Sequence, residues 1–139
     1  MPVNDFQAAR SRRESRERAV ELGYEAAVRE LSVAELLDTL VLPAPDFAVQ
    51  LLNRSEAHRK RSDELIEAKA SGWTLARMPL MDLVVMRLAV AELLDGDTPT
   101  GVVLAEAVEL AGRYSTEDSS RFVNGVLAAI ATDLDTADR

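Results

Sequence analysis

Residues 80–94 form the most apolar segment of the chain and constrain its fold more than any other feature. Only three of them are charged, Asp82, Arg87 and Glu92, and they are spaced five residues apart. At about 100° per residue, this spacing distributes the charges around a helix and leaves no polar face. The segment therefore predicts a largely buried central helix.

Two capping patterns predict the helices that precede it. Ser11 and Glu14 have capping-box spacing and predict a first helix over residues 11–29. Ser32 and Glu35 repeat this spacing and predict a short second helix. No alternating Val/Ile/Thr-rich run predicts a strand anywhere in the chain.

Prolines and glycines set the next boundaries. Pro43 lies beyond the end of the second helix, and Pro45 suits the first turn of a long helix predicted over residues 46–70. Gly72 stops that helix, and Thr74 caps a short turn before the next proline. The side chains of the long helix expected to point inward are Phe47, Leu51, Leu65 and Ile66.

Two amphipathic helices are predicted after the central one. The turn at residues 96–99 contains glycine, aspartate and proline, and residues 114–118 form a polar connection. The tail after Leu134 is expected to fray. The apolar stripes at helical spacing are Val103, Ala107, Leu110 and Ala111 in one helix and Phe122, Val126 and Ile130 in the other.

The composition is that of one cytoplasmic globular domain covering residues 1–139. The chain is 47% hydrophobic and contains no cysteine, which excludes disulfides and thiolate ligands. No apolar run is long enough to span a membrane, and the polar N-terminus lacks the apolar stretch of a signal peptide.

Charge is distributed unevenly along the chain. Residues 1–18 carry five arginines against three carboxylates, whereas the remaining 121 residues carry 11 basic and 21 acidic groups. A net charge of −8 argues against a simple nucleic-acid-binding protein. The asymmetry instead suggests an anionic ligand at the N-terminus and a basic partner elsewhere.

No pattern of catalytic or cofactor-binding residues is present. His58 is the only histidine, so a zinc site or a catalytic triad would lack partners. The chain has neither a phosphate-binding P-loop nor a dinucleotide-binding glycine pattern. We therefore expect a binding protein with no catalytic residues, no metal and no cofactor.

The arginines of the first helix have two interpretations. Arg12, Arg13 and Arg16 fall within an arc of roughly 100°, which suits joint binding of one phosphate backbone. Arginine also stacks on unpaired bases, as in single-stranded RNA. Alternatively, the arginines form a solvated face stabilised by pairs such as Glu14 with Arg18. A second basic run, residues 58–61, is interpreted as a solvated face.

Several segments together resemble the NusB family of bacterial transcription antitermination factors. The pattern Arg-Arg-x-x-Arg-x-Arg-Ala-Val at residues 12–20, followed by Tyr24, is similar to the family's arginine-rich opening. Residues 82–94 resemble its central helix. Its C-terminal signature is matched in order and spacing by Glu-Ala-Val-Glu-Leu-Ala (106–111), Ser-Thr-Glu-Asp-Ser (115–119) and Phe-Val-Asn-Gly-Val-Leu (122–127).

The resemblance implies an all-α fold of about seven helices in two packed helical subdomains. Their expected extents are about residues 10–72 and 73–135. It also implies binding of single-stranded boxA-type RNA together with the ribosomal protein NusE, in the RNA polymerase antitermination complex and in ribosomal RNA maturation. The RNA-binding residues implied are Arg12, Arg13, Arg16 and Arg18, and the partner-binding residues implied are Arg77, Asp82, Thr100 and Asp118.

Some of these residues also have structural interpretations. Tyr24 is expected to pack in the core, Asp118 can cap the last helix, and Arg87 is expected to be a paired, partly buried arginine. Asn124 and Gly125 are expected to be structural, with the glycine permitting close helix contact.

Departures from the family pattern and the scarcity of lysine, with only Lys60 and Lys69 present, make an alternative function plausible. Gly23 stands where the family usually carries a large apolar residue, so less core contact is expected there. Glu14 falls where a further arginine is common and lowers the cationic density. The alternative is a homodimeric protein-interaction module in which the arginine helix is buried and RNA binding is weak.

Overall fold

The computed structural model describes residues 2–137, and for residues 2–6 and 9 it describes the backbone alone. Within that range the regular structure is entirely helical, as predicted, with seven α-helices and one 3₁₀ turn. In chain order these are α1 (Pro2–Arg29), α2 (Val33–Asp38), α3 (Asp46–Ala57), α4 (Arg59–Lys69), the 3₁₀ turn (Leu75–Arg77), α5 (Leu80–Asp95), α6 (Thr100–Tyr114) and α7 (Glu117–Ala137).

Helix α5 is the centre of the molecule. It packs against α1, α3, α4, α6 and α7. Ten of its residues between Asp82 and Glu92 are buried, and only Arg87 in that stretch is partly exposed. Gly96 closes the helix in the left-handed conformation, at φ 73°, and its N–H donates to the Glu92 carbonyl at 3.0 Å. The predicted central helix is confirmed.

The predicted apolar stripes of α6 and α7 are confirmed as buried, except that Phe122 is only partly buried. Val103, Ala107 and Leu110 are buried on α6, and Val126 and Ile130 are buried on α7. The close contact between the two helices occurs at Gly112, where a Cβ atom would lie 2.5 Å from the Ser120 hydroxyl.

The close helix contact expected at Gly125 is wrong, and the structural role expected for Asn124 stays a prediction. Both residues are exposed, and a Cβ atom at Gly125 would meet nothing within 4 Å. The residue that permits close helix contact is Gly112, in the preceding helix.

Helix α1 packs tightly on α3 and α5 at Gly23. A Cβ atom there would lie 3.1 Å from Val84 Cγ1 and 3.6 Å from Leu52 Cδ2. Side chains of α5 and α3 approach the backbone at Gly23, which also lines a cavity of about 370 Å³, and the expectation of reduced core contact there stays a prediction.

The second predicted capping box is confirmed at α2. The Glu35 N–H donates to Ser32 Oγ at 3.1 Å, and the Ser32 N–H donates to Glu35 Oε1 at 2.9 Å. The hydrogen bond that the Ser32 N–H donates to the carboxylate is the main cause that lowers the pKa of the Glu35 carboxyl, since it favours the charged form.

Three predicted boundaries are wrong. Helix α1 begins at Pro2, so Ser11 lies inside the helix and caps nothing; the segment before it contains no breaker after Pro2. The helix predicted over residues 46–70 is broken at His58 into α3 and α4. The last helix continues to Ala137 instead of fraying after Leu134.

Arg87 is paired as predicted. Its Nε and Nη2 donate to the two carboxylate oxygens of Asp63 at 2.7 and 3.0 Å, which joins α5 to α4. Apart from Ala91, the buried apolar residues of the described chain form one continuous cluster. The division into two subdomains stays a prediction.

Candidate nucleic-acid interface and partner surface

The arginines of α1 do not form one accessible row. Arg10, Arg12 and Arg13 are exposed, the Arg18 side chain is 42% exposed, and the Arg16 side chain is only 6% exposed. The Arg16 side chain is therefore buried, whereas Arg12 and Arg13 lie at the surface.

The buried Arg16 side chain forms a paired ionic contact with α5. Its Nη2 donates to Glu92 Oε1 at 2.8 Å, and its Nε donates to Glu92 Oε2 at 3.3 Å. Thr98 Oγ1 donates to Glu92 Oε1 at 3.2 Å. The carboxylate is thus fully engaged, and Arg16 is a poor candidate for the phosphate contact that the resemblance implied.

The exposed arginines differ in what holds them. Arg10 pairs with Glu14 at 3.6 Å, Arg13 with Glu106 at 3.5 Å, and Arg18 with Glu21 at 3.3 Å. Arg12 instead lies over an aromatic ring, with its guanidinium carbon 5.5 Å from the centre of Phe47.

A polar seam ties α1 to α6. Arg113 pairs with Glu17, and the Tyr114 hydroxyl donates to Glu21 at 2.9 Å. Burial raises the pKa of Tyr114 to about 12, and the hydrogen bond to Glu21 acts in the same direction. These contacts join α1, one to two turns after Arg13, to the last turn of α6.

The expectation that Tyr24 packs in the core is wrong. Tyr24 is 38% exposed and Val28, one turn later, is 57% exposed. Val20 is buried on the same helix. The core-facing side of α1 therefore excludes Tyr24, which lies on the solvent side with Val28.

Two of the four predicted partner-binding residues share a cavity. Asp82 and Asp118 line a cavity of about 200 Å³ between the start of α5 and the start of α7. Arg77 and Thr100 are exposed and lie outside its lining. Thr100 begins α6 beyond the far end of α5, which at 1.5 Å per residue lies roughly 20 Å from Asp82. The cavity lining consists of Trp73, Pro79, Asp82, Thr116, Asp118, Ser119 and Phe122.

Asp82 is the buried carboxylate of this cavity. It is 2% exposed, and its Oδ2 accepts from Ser119 Oγ at 3.0 Å. Its Oδ1 is also buried but has no hydrogen-bond partner within the described chain. A buried carboxylate oxygen without a hydrogen-bond partner is costly, which distinguishes Asp82 from the other residues of the cavity.

The capping role considered for Asp118 belongs to another residue. Thr116 Oγ1 accepts from the Ser119 N–H at 3.1 Å, at the start of α7. The Asp118 side chain is 86% exposed and pairs with Arg121. Asp118 therefore remains at the mouth of the cavity, with its carboxylate at the surface.

Sequence reasoning missed several residues of both surfaces. Phe47 was expected only as a core residue, and Glu92 only as a charge on an apolar helix. Trp73 and Phe122 form an edge-to-face aromatic pair at the cavity, with ring centres 6.1 Å apart. The run of serine, threonine and acidic residues at 115–119, followed by Phe122, was the available signal for the cavity.

No group of three or more metal-ligating side chains occurs among the described residues. None of the helices in the described range is long and apolar enough to cross a membrane.

Comparisons with known proteins agree on one family. The model of the NusB family matches residues 13–132. The transcription antitermination protein NusB of Thermobifida fusca is 46% identical over 125 residues, which are 86% of this chain and 88% of the relative. The NusB of Acidothermus cellulolyticus is 45% identical over 128 residues, covering 86% of each chain.

Solved structures share the fold. T. maritima NusB superimposes with a TM-score of 0.76 at 31% identity, covering 87% of this chain and 90% of that one. A structure described as antitermination factors NusB and NusE in complex with dsRNA matches with a TM-score of 0.77 at 27% identity, covering 89% and 98%.

Proposed function

Because the chain belongs to the NusB family, we propose that it is a transcription antitermination factor that binds boxA-type single-stranded RNA together with the ribosomal protein NusE. The complex acts in the cytoplasm, with RNA polymerase and in ribosomal RNA maturation. The role is one of binding, with no chemical step assigned to any side chain.

The RNA part of the proposal rests on the exposure of Arg12 and Arg13 and on the weakness of their carboxylate contacts. Arg12 has no carboxylate at ion-pair distance among the described residues, and Arg13 has one only at 3.5 Å with its side chain 56% exposed. Both guanidinium groups are therefore accessible to phosphate oxygens, which arginine binds through two N–H groups at once.

The cavity at Asp82 and Asp118 supports the partner part. Ribosomal proteins are basic, and the proposed partner presents cationic side chains to this acidic surface. Asp82 provides a buried acceptor, and Asp118 provides an exposed charge at the mouth. Arg77 and Thr100 would contact separate parts of the same partner.

Protein pairing compensates for the acidic character of this chain. With a net charge of −8, the chain as a whole repels RNA at long range. We expect affinity for RNA alone to be modest and to increase when the basic partner covers part of the acidic surface.

The test is a titration of labelled boxA-type RNA with the purified protein, with and without NusE, at several salt concentrations. Arg12→Ala combined with Arg13→Ala should weaken binding about tenfold or more, since two charge-assisted contacts are lost. The slope of log K against log salt should flatten by about 0.7 for each phosphate contact removed from a single strand.

A matched control removes the same charge elsewhere. Arg29→Ala combined with Arg61→Ala deletes two exposed arginines outside the proposed surface. This control should bind RNA with nearly the affinity of the unaltered protein. Equal affinity of both double variants would overturn the assignment of Arg12 and Arg13. A duplex of the same sequence, added as competitor, establishes whether the single strand is preferred.

One observation favours a homodimeric interaction module as the second candidate. Tyr24 and Val28 are exposed one turn apart on α1, which gives an apolar strip on the arginine helix. Sedimentation of the protein with and without RNA and NusE distinguishes the candidates. A dimer that persists when both are present would favour the module over the antitermination factor.

A further inference from the structure

We infer that Phe47 is a positioning residue for RNA binding, which holds the Arg12 guanidinium at the surface in a state ready for phosphate. The inference depends on the proposed function, since it concerns how the arginine helix presents its cations. It rests on the contacts of α1 with the first turn of α3.

Arg12 is the exception among the arginines of α1. Within the described residues, Arg10, Arg13, Arg16 and Arg18 each have a carboxylate partner. For Arg12 the contact among the side chains that the structure describes is the ring of Phe47, at 5.5 Å from the guanidinium carbon to the ring centre. This distance lies within the range of a cation–π interaction.

The two kinds of partner affect phosphate binding differently. A carboxylate neutralises the guanidinium and occupies its N–H groups, so a phosphate must displace it. An aromatic ring attracts the cation but has no acceptor oxygen to occupy the N–H groups in an ion pair. Arg12 therefore keeps its full charge and its hydrogen-bonding edge, while the ring restricts its movement.

Phe47 itself is held in place from the protein side. It lies in the first turn of α3 and packs against the hydrophobic core. The guanidinium carbon of Arg16 also lies over its ring, at 5.1 Å. Arg16 is fixed by its two hydrogen bonds to Glu92. The ring thus connects an anchored, buried arginine with an exposed one.

This arrangement lowers the cost of ordering Arg12 when RNA binds. A long side chain on a helix surface loses conformational freedom when it is fixed against a ligand, and this loss opposes binding. Since Phe47 restricts Arg12 before RNA arrives, less freedom is lost on binding. Phe47 therefore acts through Arg12 and need not touch the RNA.

The experiment compares Phe47→Leu with Phe47→Tyr in the RNA titration with NusE present. Leucine keeps an apolar side chain but removes the ring, and we expect about threefold to tenfold weaker RNA binding. Tyrosine keeps the ring and should keep the affinity. The salt slope of Phe47→Leu should equal that of the unaltered protein, because Arg12 still carries its charge.

The same substitutions in an Arg12→Ala background complete the test. If Phe47 acts through Arg12, Phe47→Leu has no further effect once Arg12 is removed. An equal loss in both backgrounds would overturn the inference, because it would show direct contact between Phe47 and RNA or a general loss of structure. Thermal melting of each variant reports the structural contribution separately.

The outcomes for the inference and for the proposed function are distinct. If Arg12→Ala weakens binding while Phe47→Leu does not, the inference fails and the RNA surface stands. If neither Arg12→Ala nor its combination with Arg13→Ala changes RNA affinity, the proposed RNA surface fails, whatever Phe47 does.

Discussion

Helix α5 buries two carboxylates, one near each end, and their surroundings differ sharply. Glu92 is 5% exposed and Asp82 is 2% exposed, so both are removed from water to a similar degree. Both oxygens of Glu92 accept from Arg16, and Thr98 adds a third hydrogen bond. Asp82 receives one hydrogen bond from Ser119, and its other oxygen has no partner within the described chain.

The difference separates a carboxylate with every oxygen hydrogen-bonded from one that keeps an oxygen without a partner in the described chain. A buried ion pair with all its acceptors used stabilises the contact between two helices and offers nothing to a ligand. A buried carboxylate with an unused oxygen beside a cavity is costly to keep unless a ligand completes it. Burial alone does not distinguish these cases, whereas the count of hydrogen bonds does.

The largest effect is expected at the fully paired end. Glu92→Ala leaves the Arg16 guanidinium buried without its carboxylate, and we expect a loss of about 3–5 kcal/mol in the free energy of unfolding. Urea denaturation followed by circular dichroism measures this change. The double variant Arg16→Met with Glu92→Leu should recover most of the loss, because both charges are then absent. A loss below about 1 kcal/mol in Glu92→Ala would show that water replaces the carboxylate as the hydrogen-bond partner of Arg16.

The opposite outcome is expected at Asp82. Asp82→Asn keeps an acceptor for Ser119 and removes a buried charge, so the free energy of unfolding should change by less than about 1 kcal/mol. Affinity for NusE should fall about tenfold or more, since a charge-assisted contact is lost. Isothermal calorimetry measures the affinity, with Asp38→Asn in α2 as a control of equal charge change. Loss of stability without loss of affinity would make Asp82 a structural residue.

Much of the fold could be predicted because its signals are local. The five-residue spacing of charges in α5 predicted its burial, and the Ser32–Glu35 spacing predicted the capping box of α2. The same spacing predicted a wrong helix start at Ser11, because a Ser-x-x-Glu pattern also occurs within helices. Nothing in residues 2–10 stops the helix after Pro2.

The rest depends on contacts between residues far apart in the chain. The break at His58 coincides with its 2.8 Å contact to Asp95, 37 residues later. The burial of Arg16 depends on Glu92, 76 residues away. From the sequence, Arg12, Arg13 and Arg16 share one arc of a helix, and only the position of α5 determines which of them turns inward.

The exposed pair Arg13–Glu106 provides a smaller contrast with Arg16–Glu92. At 3.5 Å, with the arginine 56% exposed, this pair should contribute less than about 1 kcal/mol to the free energy of unfolding. Glu106→Gln removes the competing carboxylate, so RNA affinity should increase about twofold while stability hardly changes. Equilibrium denaturation and RNA titration of one protein preparation test both statements. A stability loss as large as that of Glu92→Ala would erase the distinction between the two pairs.

The smallest effect is expected at the polar seam between α1 and α6, where a partly buried hydroxyl meets a carboxylate. Burial and Glu21 raise the pKa of Tyr114 to about 12, above its ordinary value of 10.0. The folded state therefore holds this proton more tightly than the unfolded state does. The stability that results is fully present below pH 10 and is lost as the pH rises towards 12. Absorbance of tyrosinate at alkaline pH should show a late component that is absent from Tyr114→Phe. Glu21→Gln should move this component to lower pH by removing the negative charge. An unchanged titration would show that Glu21 does not raise the pKa of Tyr114.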